Sequence, residues 1–263
     1  MDLGLKGKRA LVMGGAKGLG RSIADALAAE GTVLTISGRD VAAMDKAAAD
    51  LKALGAPAVT VVQADVSNGE EMDKLADAAV AAMGGVDILV LNHGGPPVCT
   101  ASDMKESDLI KWFQNIVVSP IRITMKLLPA MRAQKWGRVI VVGSSGMQHP
   151  IPILALSNTL RASIWAWLKT LSGEVAADGV TMNILAPGSI RTDRITQTAA
   201  ARAEKSGISV DEEIARAGKE VPAGRVGEPG EYGPMGAFLA GSTGAYITGT
   251  MVRVDGGRVR SML

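Results

Sequence analysis

Between a short apolar run, Arg9-Ala10-Leu11-Val12-Met13, and an amphipathic stretch from Ser22 lies Gly14-Gly15-Ala16-Lys17-Gly18-Leu19-Gly20. A strand that turns through such a loop into a helix offers free backbone N–H groups and the positive end of a helix dipole to an anion, and glycine lets a pyrophosphate approach closely. The spacing is G-x-x-x-G-x-G, not the more widespread G-x-G-x-x-G, and a plain glycine turn is the competing reading. Nearby cations refine the chemistry. The second apolar run ends in Ser37-Gly38-Arg39. An acidic side chain at that place would bind a ribose 2′-hydroxyl and repel a 2′-phosphate; here it is Gly38, followed by Arg39, with Lys17 in the loop itself. Two converging cations favour NADP(H). The alternative is that both are solvated surface cations.

Those residues need elements to hold them. Apolar runs recur at Arg9–Met13, Thr32–Ser37, Val59–Gln63, Val86–Leu91, Arg138–Val142, Val180–Leu185 and Met251–Val254, with helical patterns between them such as Ser22–Glu30 and Val41–Leu54. Near-continuous β-branched runs separated by helices predict a parallel sheet buried on both faces. Right-handed crossovers then give an α/β, doubly wound, Rossmann-like sheet with helices on both faces. The 263 residues fit a single such domain. Residues 188–226 lack a strand signal and are rich in Ala, Arg and Glu. They read either as a solvated helical insertion or, because they follow a strand's carboxyl end, as a substrate lid.

Composition sets the outer limits. Hydrophobic residues make up 47% and charged residues 21%, which excludes disorder as the general state. Twenty-eight Lys and Arg against 26 Asp and Glu leave a net charge of +2, too balanced for a nucleic-acid binder held by phosphate contacts. A single cysteine, Cys99, excludes an internal disulfide and a cysteine-built zinc site, and no His/Asp/Glu cluster has metal-ligand spacing. No stretch approaches the roughly 18 apolar residues of a spanning helix, and Met1–Lys6 lacks a signal peptide's apolar run. A cytoplasmic protein away from membranes is expected.

Downstream, Asp65-Val66 follows the third run and Asn92-His93-Gly94-Gly95 the fourth; Asn183-Ile184-Leu185-Ala186-Pro187-Gly188, with Ile190 and Thr192, follows a later one. Thr248-Gly249 and Val254-Asp255-Gly256-Gly257 stand near the end. With the glycine loop, and in this order, the sequence resembles the short-chain dehydrogenase/reductase family over essentially the whole chain. The resemblance implies an NADP coenzyme at Gly14, Lys17, Gly18, Leu19, Gly20 and Arg39, with Asp65 and Val66 flanking the adenine. Asn92 and Gly94 would support the sheet beside the coenzyme, and Pro187, Ile190 and Thr192 would line its nicotinamide side. Met13, where threonine is usual, and His93-Gly94, where the family often has Asn-Ala, are small departures.

The family also places a serine after the fifth strand and Tyr-x-x-x-Lys on the next helix. Gly137–Gly143 puts the serine at Ser144, and counting back from Leu168–Glu174 puts the pair at positions 157 and 161. The separation from Ser144 matches the family's. Those positions hold Ser157 and Arg161. Residues four apart share a helix face, but a serine hydroxyl is a far weaker acid than a phenol, and arginine cannot relay protons. Arginine can still fork onto ribose hydroxyls and stabilise a developing alkoxide, so Arg161 is assigned both coenzyme and catalytic roles. Neither Tyr232, on the expected last helix, nor Tyr246, in a turn before the last strand, is placed to substitute. His149, five residues beyond Ser144, is either a replacement acid or a loop histidine, and His93 either a coenzyme-loop residue or a polar substrate contact. The family's catalytic asparagine falls near Asn115, although the count back from Leu128-Pro129 lands on Ile116.

The implied activity is NADP(H)-dependent reduction of a carbonyl, a 3-oxoacyl group or other ketone, by hydride transfer at an atypical Ser144/Ser157/Arg161 site. Met147, Ile151, Pro152, Ile153 and Leu154 would border it, so a small carbonyl or alcohol substrate with an apolar part is expected. Two alternatives stay open: non-redox lyase or isomerase chemistry, and a catalytically silent NADP(H)-binding protein. A hydrolase built on Ser144, Ser145 and His149 lacks the Gly-x-Ser-x-Gly elbow. In the family the helix carrying Trp165 and Trp167 packs against another subunit, so a homodimer or homotetramer is expected, with plain core packing the alternative reading of the tryptophans.

Overall fold

Strand β1 (Arg9–Met13) sends Leu11 and Met13 into one hydrophobic core and Ala10 and Val12 into another. Side chains alternate across a strand, so a run apolar at every position is one buried on both faces. The computed structural model describes residues 1–262, apart from the side chains of Arg194, Ala201 and Lys205. The other strands are β2 (Val33–Gly38), β3 (Val59–Gln63), β4 (Ile88–Leu91), β5 (Gly137–Val142), β6 (Val180–Pro187) and β7 (Met251–Val254). All pair in parallel as a seven-stranded sheet, ordered β3-β2-β1-β4-β5-β6-β7. The inner strands β4, β5 and β6 are buried nearly throughout, whereas the edge strands β3 and β7 are half-buried.

Helices α1 (Gly18–Ala29), α2 (Val41–Leu54) and α9 (Pro229–Ala240) cover one face through Ile23, Leu27, Met44, Leu51 and Tyr232. Helices α3 (Gly69–Met83), α5 (Ser119–Ala133) and α6 (Ala155–Val175) cover the other through Met72, Leu75, Ile123, Leu127 and Leu168. Helix α4 (Glu106–Phe113) runs through a π turn at Gln114–Val118 straight into α5. This is the doubly wound α/β sheet that the alternation of runs predicts.

The differences are local. Helix α1 begins at Gly18 rather than Ser22, because Lys17 adopts the extended backbone of an N-cap and the helix starts inside the glycine loop. Val86 and Asp87, read as strand, precede β4, and Asp87 instead accepts the Arg9 guanidinium at 2.6 Å. Residues 188–226 contain α7 (Asp193–Ser206) and α8 (Val210–Lys219), which pack chiefly on each other around Ala199, Ile214 and Val226. Their base is closed where Gly227 N–H donates to the Ser189 carbonyl at 2.9 Å and Arg191 N–H to the Gly227 carbonyl at 2.8 Å.

Candidate active site

Strand order reverses between β1 and β4, and in open α/β sheets the crevice at such a switch point is where ligands bind. The glycine loop after β1 and the Asn92–Gly94 segment after β4 meet there. The Asn92 amide donates to the Met13 and Gly14 carbonyls at 3.2 and 3.3 Å, fastening the loop to the neighbouring strand. Gly14 and Gly18 both sit at φ +61, a left-handed conformation natural to glycine. At Gly20 a Cβ would lie 2.5 Å from both the Asn92 amide nitrogen and the Gly14 carbonyl oxygen, so no side chain fits. Thr192, the N-cap of α7, stands against Gly18, while around Gly94 a Cβ would meet nothing within 4 Å.

A cavity of about 600 Å³ opens beside the loop, lined by Gly14, Lys17, Ser37, Gly38, Arg39 and Met44 among others. The loop, the start of α1 and this cavity fit the adenosine half and pyrophosphate of a dinucleotide. Lys17 is not idle in it: its ammonium lies 3.1 Å from an Asp40 carboxylate oxygen. Asp65, beyond β3, folds its carboxylate onto the Ser67 N–H at 2.9 Å; that bond and the charge of Arg39 hold its carboxyl below the usual range. Pro187 ends β6, and Ile190 is buried in the core at the base of the 188–226 segment, bridged to Gly227.

None of Ser144, Ser157 or Arg161 lines that cavity; they gather at the ends of β5 and α6. Ser144 caps a 3₁₀ turn at Ser145–Met147 by accepting the Gly146 N–H at 3.1 Å, and His149 N–H continues the turn to the Ser145 carbonyl at 3.0 Å. Ser157 and Arg161, each only 8% exposed, share one face of α6. Arg161 Nε donates to Ser157 Oγ at 3.3 Å, and another guanidinium nitrogen donates to the Val142 carbonyl at 2.8 Å. The guanidinium thus ties the helix to the strand that delivers Ser144. The His149 side chain is exposed and takes no part in these hydrogen bonds.

Tyr232 is fully buried in α9 and donates to the Leu185 carbonyl at 2.8 Å; burial pushes its phenol well above the usual range. Tyr246 is fully exposed. Neither reaches the site's hydroxyls. Three further polar groups gather here. Asn115 lies in the π turn, 8% exposed, with a buried amide oxygen that has no hydrogen-bond partner among the described residues. A π turn holds one residue more than an α turn, which equals the offset between Asn115 and the count landing on Ile116. Asn158 donates its amide to the Ile151 carbonyl at 3.0 Å, and its buried oxygen also has no partner among the described residues. His93 is half-buried with Nδ1 2.8 Å from the Gly94 carbonyl, so Nδ1 carries the proton and Nε2 is the acceptor. Burial, and then the charge of Arg161, lower its pKa to about 4.

Nothing in the sequence pattern signals Asp40 or the oxygen of Asn158. The loop facing the site also holds Ile153 at φ +59, unusual for a β-branched residue, next to a bridge that joins Cys99 to Leu154.

Comparison with known proteins places this arrangement. The chain is 32% identical to 3-oxoacyl-(acyl-carrier-protein) reductase FabG of Haemophilus influenzae, over 96% of this chain and 98% of the relative. It is also 32% identical to D-beta-hydroxybutyrate dehydrogenase of Cupriavidus necator, over 97% and 99%. Its backbone is similar to the crystal structure of L-sorbose reductase from Gluconobacter frateurii complexed with NADPH and L-sorbose, with a TM-score of 0.95 at 28% identity over the whole of both chains. The short chain dehydrogenase family model matches residues 8–203, which include the glycine loop, the switch-point crevice, Ser144 and the Ser157–Arg161 face. With that match and those relatives, the chain belongs to the short-chain dehydrogenase family.

Proposed function

We propose that this protein is an NADP(H)-dependent oxidoreductase that reduces a ketone, of the 3-oxoacyl or a related kind, at a site built from Ser144, Ser157 and Arg161. The observation that carries the reading is the Arg161 guanidinium, bonded at once to Ser157 Oγ and to the end of β5. The coenzyme would lie along the glycine loop, Arg39, Asp65-Val66 and Asn92–Gly94, and supplies a hydride when bound. Relatives solved with NADPH or NADP support that choice.

The chain's own groups do the rest. Ser144 Oγ accepts from Gly146 N–H and Ser157 Oγ from Arg161 Nε, so each hydroxyl keeps its proton free to donate to a carbonyl oxygen. As negative charge grows on that oxygen, Arg161 stabilises it in a half-dry site where fixed charges act strongly. Because a serine hydroxyl is a weak acid, the alkoxide takes its proton from solvent water ordered by Ser144, Ser157 and Arg161, and His149, exposed five residues beyond Ser144, is the group assigned to pass it in. Residues 188–226 form the lid: their two helices are fixed at the Ser189–Gly227 base and pack chiefly on each other. Ile110, Phe113, Val118 and Met125 leave an apolar strip exposed along α4 and α5, which supports self-association as a dimer or tetramer.

The test is titration with NADPH and NADH, then a ketone panel followed by nicotinamide absorbance. The reading expects turnover in wild type, a large loss in Arg161→Met, and a smaller loss in Ser157→Ala. NADPH binding with no absorbance change on any ketone would overturn it; product formed without that change would favour the lyase or isomerase alternative.

A further inference from the structure

The end of the coenzyme groove assigned to the 2′-phosphate carries a negative charge. Asp40 is the N-cap of α2: one carboxylate oxygen accepts the Ala43 N–H at 3.0 Å, and the other holds the Lys17 ammonium at 3.1 Å. Both residues line the cavity of about 600 Å³ together with Ser37, Gly38 and Arg39. The Ala43 N–H, and then Lys17, hold the Asp40 carboxyl below its usual range, so it is ionised at neutral pH. Of the two cations that would meet a 2′-phosphate, Lys17 is therefore already partnered, while Arg39 forms no ion pair with a described residue.

We propose that Asp40 sets how strongly this chain prefers NADPH over NADH: its carboxylate competes with the 2′-phosphate for Lys17 and accepts the 2′-hydroxyl of a ribose that carries no phosphate. The inference rests on the NADP(H) reading above. Lys17 and Asp40 are 60% and 59% exposed at their side chains. A pair so exposed is weak, whereas a phosphate offers lysine and arginine charge-assisted bonds. The phosphate therefore takes Lys17, but against the pull of Asp40 and its repulsion of the incoming anion. With NADH the conflict disappears, because the oxygen now bonded to Lys17 is an acceptor for a hydroxyl. The site admits both coenzymes, and the margin between them is written at residue 40.

Asp40→Asn isolates the charge. Asparagine caps a helix about as well as aspartate, so its amide oxygen keeps the Ala43 bond and α2 stays capped. Calorimetric titration of the full chain with NADPH and with NADH should show the affinity ratio rising about threefold to tenfold in favour of NADPH. The gain should shrink as salt is raised, since exposed charges are screened. Lys17→Gln should weaken NADPH binding more in the Asp40→Asn background than in wild type, because only there is Lys17 wholly available. Asp40→Ser, which also caps, should reproduce the shift if Asp40→Asn folds poorly. A ratio unchanged in both variants overturns the role of Asp40 and leaves the coenzyme reading standing; a wild type that binds neither nucleotide overturns both.

Discussion

The two histidines make the electrostatics of the site measurable. His93 and His149 are the whole complement, so a carbon-detected titration of the imidazoles gives two curves, assigned with His149→Gln. His93 should titrate at about 4, since burial and the charge of Arg161 both oppose its protonation. The unfolded chain takes that proton near pH 6.5, so between about 6.5 and 4 it binds more protons than the folded chain. The stability that rests on a neutral His93 is thus fully present above pH 6.5 and is lost as pH falls towards 4. At about 1.4 kcal/mol per pKa unit, the loss has an upper bound of about 3.5 kcal/mol, and is less because the ring keeps some contact with water. Denaturant unfolding of wild type and His93→Gln at pH 7.5 and pH 4.5 isolates it: the wild type should lose more, by up to about 2.5 kcal/mol. Arg161→Met should raise the His93 pKa only part of the way, because burial is the larger cause. A wild-type His93 titrating near 6.5, or one indifferent to Arg161→Met, would refute the placement of the imidazole beside the guanidinium.

Three further outcomes follow from the same contacts. Gly20→Ala must push a methyl against the Asn92 amide and the Gly14 carbonyl; such overpacking costs about 1–3 kcal/mol, and nucleotide binding by calorimetry should fall at least tenfold (order of magnitude) as the loop shifts. Arg161→Met should lower stability by about 1–3 kcal/mol in denaturant unfolding, because the Val142 carbonyl loses its buried donor. On the proposed self-association, Phe113→Glu combined with Met125→Glu should sediment as a monomer in analytical ultracentrifugation where the wild type sediments as a dimer or tetramer, while the far-UV circular dichroism stays the same; an equal sedimentation coefficient for both would overturn self-association through that face.

The strand pattern was legible because it is local. Ile88–Leu91 is apolar at every position, and a strand covered on both faces satisfies that. The glycine loop was legible for the same reason: Gly14, Gly18 and Gly20 meet their steric demands within a few residues of one another. The spacing from Ser144 to Ser157 and Arg161 could be counted, because a strand, a short turn and a helix leave little freedom in length. Residues 188–226 gave less, since two amphipathic helices packed on each other carry the same composition as a solvated insertion.

What the residue order alone determined is the sheet, the glycine loop and the placing of Ser157 and Arg161 four residues apart on one helix, all set by neighbours in the chain. Tertiary structure decided the electrical state of those groups. Lys17 meets Asp40 across 23 positions, His93 feels Arg161 from a different element, and Arg161 reaches back to Val142. Charge and desolvation act through space, over distances that only the packed fold defines.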